Sequence, residues 1–540
     1  MSPSDVTLEP TFPASGSEVN RAAPVKAGSR TGSRYGRELT RGVGSFSSFA
    51  AGFSFVSILT TVFQLFGLGF GFGGAAFFWT WPLVFVGQLI VALNFSQLAA
   101  SWPISGAIFQ WSSRLAGTTF GWFTGWVMIV AQVLTVAVAA IAVQAVLPQI
   151  WAGFQIVGGP TADPSLTSTT GARNAVLLGV ILLTITTIVN IVSVRLMAMV
   201  TSIGVVIEII GVIVVGAALF LLPARGPEVL FTSAGAAPTD DPYIWAFLAS
   251  SLMAAYVLVG FDSASELAEE THAPRTTTPK TILRAVIVSG LGGALLIVAA
   301  LVSAPSLTDG NLATGGLAWV VTERLGPFFG RILLVAVAIS VFACTLAIQT
   351  SGSRMMFSMA RERSLPFSMV LAKVSPRTGT PIAASIVVGV GAALVLAVNF
   401  GQNAIFTALS SICIAMLYLA YLGVTAPLLV KRIRLRTVGL PTGVDEYGKA
   451  LFTLGRWGIP LNVVAVVYQV GMIVNLVWPR AAIYDLTGQT WWLQWSALLF
   501  IAGTILVGVL VHVRNRARDG VLVLGALHHS HEDIPIEELS

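Results

Sequence analysis

The stretch YVLVGFDSASELAEET, residues 256–271, decides the fold, because in it an apolar run meets a glycine, a carboxylate and then small polar residues. Gly260 lowers helix propensity by about 1 kcal/mol and lets the backbone leave helical geometry. Within a membrane span, Asp262 is costly unless it faces a cavity or a partner. Irregular backbone there is tolerated only where it lines protein or water. The stretch therefore predicts an interrupted helix, provided that the chain around it spans a membrane.

The composition indicates an all-α membrane protein. The 540-residue chain is 55% hydrophobic and 10% charged, against about 25% charged residues in a soluble domain, and its mean hydropathy is +0.84. Its apolar runs have about the 20 residues that a spanning helix needs, whereas barrel strands are shorter and alternate. Twelve transmembrane helices are predicted, at about 46–66, 75–98, 120–147, 174–194, 198–222, 243–267, 283–303, 328–350, 381–399, 404–430, 459–478 and 491–513.

The basic residues predict the orientation of these spans. Of the 30 Lys and Arg residues, all but Arg173, Arg225, Arg324, Arg331 and Arg480 fall on the side that carries both termini. By the positive-inside rule this side is cytoplasmic. We expect a disordered cytoplasmic tail that is not a secretory signal, a twelve-helix domain and a second cytoplasmic tail; their bounds are 1–44, 45–513 and 514–540.

Several function classes are not supported by the sequence. The net charge of +6 is explained by basic loops between spans, so no nucleic-acid partner is expected. Cys344 and Cys413 lie in apolar segments and are interpreted as core residues. No His and Cys cluster has metal-ligand spacing, and no glycine-rich phosphate loop is present, so no metal or cofactor is predicted. All five histidines lie in loops, in the tail or at its edge, and no catalytic residue is predicted.

The first span carries a second candidate interruption. In SFAAGFSFVSILTT, residues 48–61, Gly52 and Ser54 form a Gly-Phe-polar triplet like the one around Gly260, and Ser57 follows. Carriers built from two inverted five-helix repeats place broken helices in equivalent positions of the two halves. Free N–H groups at half-helix N-termini attract an anion, and unwound carbonyls attract an ammonium group. Such a site suits a zwitterion, although Gly52 alone is equally consistent with close helix packing.

Glu208 is the other carboxylate deep within a span, with apolar residues on both sides. Removal from water disfavours the charged form of a carboxyl group. An acid whose charge depends on access to water is suited to proton coupling. A neutral acid hydrogen-bonded inside the bundle is the equally supported alternative.

With these residues in view, the chain resembles the amino acid–polyamine–organocation transporters over about residues 44–513. The most specific likeness is GFDSASELAEETHAPRTTTPKTI, residues 260–282, at the end of span 6. SGSRMMFSMARERSLP, residues 351–366, resembles the family loop after span 8, and QLAASWPISGAIFQW, residues 97–111, the segment after span 2. The last two are closer to the branch that carries amino acids, choline and GABA.

The resemblance implies two inverted repeats, formed by helices 1–5 and 6–10, and two extra helices. It also implies a substrate site between spans 1, 3, 6, 8 and 10. Tyr256 falls at an aromatic gate, and Asp262 at a cytoplasmic-side gate. The implied substrate-binding residues are Gly52, Ser54, Phe55, Val56, Ser57, Tyr256, Val257 and Gly260, and weaker candidates are Gln132, Gln349 and Ser410.

Three positions depart from the family pattern. Gln97 and Ser105 replace the more usual Glu and Gly. Glu208 stands where relatives place a lysine that takes the place of a sodium ion. An acid at this position can bind a proton or a cation instead, so the coupling mechanism of those relatives does not carry over.

We expect a secondary carrier of the plasma membrane that moves an amino acid or related amine by alternating access. Symport with protons is favoured over substrate exchange because of Glu208. Choline, polyamines and GABA are the competing substrates. Of these, the cations without a carboxylate would depend on Asp262 and Tyr256 rather than on the span 1 amides. A non-transporting nutrient sensor is a remote alternative, because the two tails are shorter than a usual folded domain.

Overall fold

The computed structural model of the protein describes residues 43–166, 168–237, 242–400, 405–435, 443–445, 448–484 and 491–519. The two predicted tails, 1–44 and 514–540, lie almost entirely outside the described residues.

The described chain is helical, apart from two isolated β-bridges. Its α-helices are α1 (Ser45–Val56), α2 (Ile58–Gly73), α3 (Thr80–Ser101), α4 (Ala107–Ala116), α5 (Thr118–Ile150), α6 (Thr169–Val192), α7 (Val194–Phe220), α8 (Tyr243–Val257), α9 (Ser263–Glu266), α10 (Pro274–Ser303), α11 (Gly310–Arg361), α12 (Ser368–Leu371), α13 (Ile382–Ala397), α14 (Ile405–Leu435), α15 (Gly458–Val477), α16 (Ala481–Tyr484) and α17 (Ser496–Asp519). Short 3-10 helices cover Ala75–Trp79, Ala152–Phe154, Pro227–Phe231, Ala268–Glu270, Val398–Phe400, Gly455–Trp457 and Trp491–Trp495.

Each of the twelve apolar segments overlaps one of these helical regions. Within the described residues, ten helices are long and apolar enough to cross a membrane, and two shorter apolar helices are α8 and α13. α8 is short because the span predicted at 243–267 is interrupted after Val257. α11 is long because it runs through non-helical turns at Gly316 and Gly326 before the predicted span begins. The count of twelve spans and the inverted repeat stay predictions.

The centre of the bundle is formed by α5, which packs against α11 and α14, while α2 packs against α8 and α11 and α3 packs against α10. The outer helices α7, α13, α15 and α17 present exposed apolar side chains such as Ile210, Leu394, Val467 and Leu510. In a membrane protein, the acyl chains of the surrounding lipid cover such an apolar surface. The arrangement leaves the interrupted first and sixth spans inside the bundle.

Gly67 of α2 sets how closely α2 approaches α11. A Cβ added there would overlap the backbone carbonyl of Ala313. We therefore predict that Gly67→Ala lowers the thermal unfolding temperature of the detergent-purified protein. Gly471→Ala on α15 is the matched control, because a Cβ there meets nothing within 4 Å and alanine favours the helix. Equal unfolding temperatures for the two variants would contradict close packing at Gly67.

Candidate functional site

The first span is interrupted at Ser57. α1 ends at Val56 and α2 begins at Ile58, while Ser57 adopts φ 37° and ψ 81°, in the left-handed region. This conformation is uncommon for a residue with a side chain. The Ser57 hydroxyl donates a hydrogen bond to the Thr60 hydroxyl at 2.7 Å, which stabilises the start of α2. Of the predicted span 1 residues, Ser57 alone forms the break, and the others lie on the last turns of α1.

The sixth span is interrupted over residues 258–262, between the end of α8 and the start of α9. Gly260 has φ +92°, and a Cβ added there would overlap the ring of Phe55. Both the conformation and the close approach therefore require glycine. This interruption lies in the stretch that the sequence singled out.

The two interruptions lie side by side. The Ser263 hydroxyl donates a hydrogen bond to the Ala51 carbonyl at 3.3 Å. A Cβ at Gly52 would lie 3.3 Å from the Cβ of Ala264. Gly52 is helical, so its role in this geometry is the close packing of α1 against α9. Phe55 completes the contact by covering Gly260.

Glu208 from α7 accepts a hydrogen bond from the Leu59 amide at 3.1 Å. The Ser57 side chain and the Ile58 amide face the same carboxyl group. Glu208 is fully buried, and within the described residues its Oε2 atom has no hydrogen-bond partner. The N-terminus of a helix carries partial positive charge and unpaired N–H groups. The sequence analysis predicts that amides at a half-helix N-terminus bind a substrate anion. In this structure the Leu59 amide at the start of α2 instead contacts Glu208, an acid of the protein itself.

Tyr421 of α14 links the two ends of the sixth-span interruption. Its hydroxyl accepts a hydrogen bond from the Gly260 amide at 2.9 Å and donates one to Oδ1 of Asp262. Asp262 is fully buried, and among the described side chains nothing bonds its Oδ2 atom. One phenol group therefore joins both ends of the unwound backbone, and within the described residues one carboxylate oxygen next to it has no partner.

Tyr256 lies in the last turn of α8, and its buried hydroxyl has no partner in the described part of the chain. The side chains of Cys344 from α11 and Cys413 from α14 are near this hydroxyl. Both thiols are buried and free. The Cys344 thiol faces the Phe55 carbonyl at 3.7 Å, and Cys413 contacts Thr135 of α5. The substrate site between spans 1, 3, 6, 8 and 10 that the resemblance implies stays a prediction. Val257 ends α8 beside Tyr256 and is buried.

The weaker candidates are not all directed to this centre. The Gln349 amide donates a hydrogen bond to the Thr187 hydroxyl of α6 at 2.6 Å. The Gln349 side chain is therefore directed toward α6 rather than toward the interruptions. The Gln132 amide donates to the Ser351 hydroxyl at 2.9 Å and joins α5 to α11. Ser410 is buried in α14.

A second cluster follows directly along the chain from the sixth-span interruption. Arg354 pairs with Glu270 at 3.0 Å, and both side chains are fully buried. Arg361 forms two hydrogen bonds to Glu269, at 2.8 and 2.9 Å. The Ser105 amide donates to the same Glu269 carboxylate at 3.2 Å.

Further bonds complete this cluster. The Gly106 amide donates to Oε2 of Glu266 at 2.8 Å, and the Ser358 hydroxyl donates to the Ser105 carbonyl at 2.8 Å. The three sequence motifs, 97–111, 260–282 and 351–366, therefore meet in one place. On the predicted topology this place is the cytoplasmic end of the bundle. We call these residues the inner cluster: Ser105, Gly106, Glu266, Glu269, Glu270, Arg354, Ser358 and Arg361.

Comparison with known proteins agrees with this architecture. A family model described as amino acid permease matches residues 43–507. The chain belongs to the amino acid permease family. Its relatives include the amino-acid permease BAT1 of Arabidopsis thaliana, 28% identical over 491 residues, which cover 84% of this chain and 88% of the relative. The BAT1 homolog of Oryza sativa subsp. japonica is 27% identical over 478 residues, with the same shares covered.

A third relative is named for a different substrate. The thiamine transporter thi9 of Schizosaccharomyces pombe is 24% identical over 481 residues, which cover 82% of this chain and 78% of the relative. Together, the family and the relatives indicate a membrane transporter of amino acids or related compounds rather than an enzyme. Within the described residues, no group of three or more His, Cys, Asp or Glu is arranged to hold a metal ion.

Sequence reasoning missed Tyr421 and the pairing of the two arginines. A tyrosine within the apolar run LYLAYLG, residues 417–423, was the available signal, because a buried phenol usually finds a hydrogen-bond partner. Arg354 and Arg361 are seven residues apart and so share one helix face, and two acids end the span 6 motif.

Breaking the Arg354–Glu270 pair is predicted to be strongly destabilising. Arg354→Gln or Glu270→Gln leaves one buried charge without its partner, at a cost of about 3–5 kcal/mol. The double variant removes both charges, so its thermal unfolding temperature in detergent should lie well above that expected from adding the two single effects. Arg361→Gln is the control, because its pair with Glu269 is partly exposed and should matter less. Additive losses in the double variant would contradict a direct pair.

Proposed function

We propose that the protein is a secondary active transporter that moves an amino acid or related amine across the plasma membrane by alternating access, coupled to protons. The observation that carries the proposal is the pair of interrupted helices that lie side by side inside the bundle. Around them, buried polar atoms of Ser54, Glu208, Tyr256 and Asp262 have no partner among the described residues. A substrate with an ammonium group and a carboxylate offers partners for such atoms.

The substrate groups follow from the local dipoles. The C-terminus of α1 presents carbonyl oxygens, including that of Phe55, where an ammonium group is stabilised. The N-terminus of α2 presents the amides of Ile58 and Leu59, where a carboxylate is stabilised. Tyr256 covers this space from α8, as the aromatic gate that the family resemblance implies.

Proton coupling follows from competition for the α2 amides. When ionised, Glu208 occupies the Leu59 amide and repels a substrate carboxylate. When Glu208 is protonated, its hydrogen bond to the Leu59 amide weakens, and it no longer repels the substrate carboxylate. The substrate carboxylate can then take the same amides. A proton and a substrate are therefore bound together more favourably than either alone, which is the thermodynamic requirement of symport.

Alternating access needs a barrier that opens on one side at a time. The inner cluster supplies one at the predicted cytoplasmic end, through the pairs Arg354–Glu270 and Arg361–Glu269. In the proposed cycle these contacts separate when the site opens inward.

The proposal includes twelve spans, inverted repeats of helices 1–5 and 6–10, and both termini in the cytoplasm.

Glu208→Gln provides the direct test of coupling. In proteoliposomes with an acidic outside, the wild-type protein should accumulate labelled substrate above the level seen without a gradient. Glutamine keeps the size of the side chain but cannot exchange a proton, so the variant should bind substrate and exchange it without responding to the gradient. Glu323→Gln serves as a control because Glu323 lies outside the site. Equal gradient dependence in the wild-type and Glu208→Gln proteins would remove the proton role.

A carrier of organic cations is the second candidate. The relative named a thiamine transporter favours it, as do the two buried carboxyl groups of Glu208 and Asp262, which together suit a cation without a carboxylate. In this version the acids bind the substrate directly, Tyr256 adds a cation–π contact, and the α2 amides stay with Glu208.

A competition panel separates the two substrate classes. We expect zwitterionic α-amino acids to inhibit uptake more strongly than choline, putrescine, GABA or thiamine at equal concentration, because only the α-amino acids place both charged groups close enough to span the α1 and α2 ends. Stronger inhibition by choline, putrescine or thiamine would establish the organic-cation version. Exchange without net accumulation under any gradient would establish an exchanger.

A further inference from the structure

A cavity of about 420 Å³ lies away from the interrupted helices, at the end of α11 that carries the inner cluster. It is open on one side and is lined by Trp126 of α5, Met356 of α11, Val370 of α12 and Val387 of α13. All its lining side chains are apolar, and its volume falls in the range of cavities that hold a small molecule. None of them belongs to the interruptions or to the inner cluster, so the cavity is separate from the candidate substrate site.

The mouth of the cavity has the features of a segment at the membrane surface. Phe367 and Met369 are 81% and 82% exposed, which is costly for large apolar side chains in water. Arg363 and Lys373, on either side of them, are also exposed. Apolar residues flanked by basic ones typify a segment that lies in the interface between headgroups and acyl chains.

The charge around the mouth is positive. Arg363, Lys373 and Arg377 are exposed on the segment that closes the cavity, and Glu362 is the acid there. The Asn515 amide donates to the Ser364 carbonyl at 3.2 Å, which brings the basic end of α17 to the same place. On the predicted topology the mouth faces the cytoplasmic leaflet, where anionic lipids attract basic residues.

We propose that this cavity binds an anionic phospholipid from the surrounding leaflet. One acyl chain occupies the space between Trp126, Met356 and Val387, and the phosphate headgroup lies against Arg363 and Lys373. The apolar walls exclude a polar metabolite, and the basic mouth selects an anionic headgroup over a zwitterionic one. Because Met356 lies on the same helix end as Arg354, a bound lipid would brace the inner cluster.

Native mass spectrometry of the delipidated full-length protein tests the proposal. Phosphatidylglycerol and phosphatidylcholine with identical acyl chains are added separately. We expect one tightly retained phosphatidylglycerol and at least several-fold weaker retention of phosphatidylcholine. Val387→Trp, which fills the cavity, should abolish this retention. Val390→Trp is the matched control on the same helix, since Val390 is exposed to a similar degree, 54% against 45%, and does not line the cavity.

The headgroup contact is tested with surface variants that leave the core intact. Arg363→Gln combined with Lys373→Gln should reduce phosphatidylglycerol retention to the level of phosphatidylcholine. Lys280→Gln, at another exposed lysine on the predicted cytoplasmic side, should not. Equal retention of the two lipids by the wild-type protein, or unchanged retention in both Val387→Trp and the double variant, would overturn the proposal.

Discussion

The structure depends on one constraint: a peptide group inside a membrane must find a hydrogen-bond partner within the protein. Two helices lose their regular winding here, and two side chains from other helices supply the partners. Glu208 accepts from the Leu59 amide, and Tyr421 accepts from the Gly260 amide. Without them each interruption would leave buried donors unpaired, at a cost of about 1–3 kcal/mol per group. The interruptions are therefore properties of the whole bundle.

The same short segment also joins the candidate substrate site to the inner cluster. Tyr256, at the end of α8, and Glu270, which pairs with Arg354, are only fourteen residues apart in the chain. Between them lie the unwound residues 258–262, α9 and a single 3-10 turn. Residues 258–262, the unwound backbone, are therefore only a few residues away from Glu269 and Glu270. A movement that separates the ion pairs of these two acids also shifts the unwound backbone. This geometry gives a physical route by which the contents of the site and the state of the inner cluster influence each other.

Much of this could be read from the sequence, because it depends on local pattern. The apolar segments gave the helical regions, and Gly260 with Asp262 marked the sixth-span interruption. The first-span interruption is predicted only as a stretch between Gly52 and Ser57, and the structure places it at Ser57, because a left-handed serine leaves no sequence signal comparable to glycine. The partners of Glu208 and Asp262 were not predicted. They come from residues about 150 positions away, and a single sequence does not report which distant side chains meet.

The central claim is that substrate occupies the space between the two interruptions. An electron cryo-microscopy structure in lipid nanodiscs, with the substrate that inhibits uptake best, tests this most directly. The account predicts ligand density between residues 55–59 and 256–262, with the carboxylate at the Leu59 amide and Glu208 turned away from it. Ligand density elsewhere, or helices that run unbroken through Ser57 and Gly260, would contradict it.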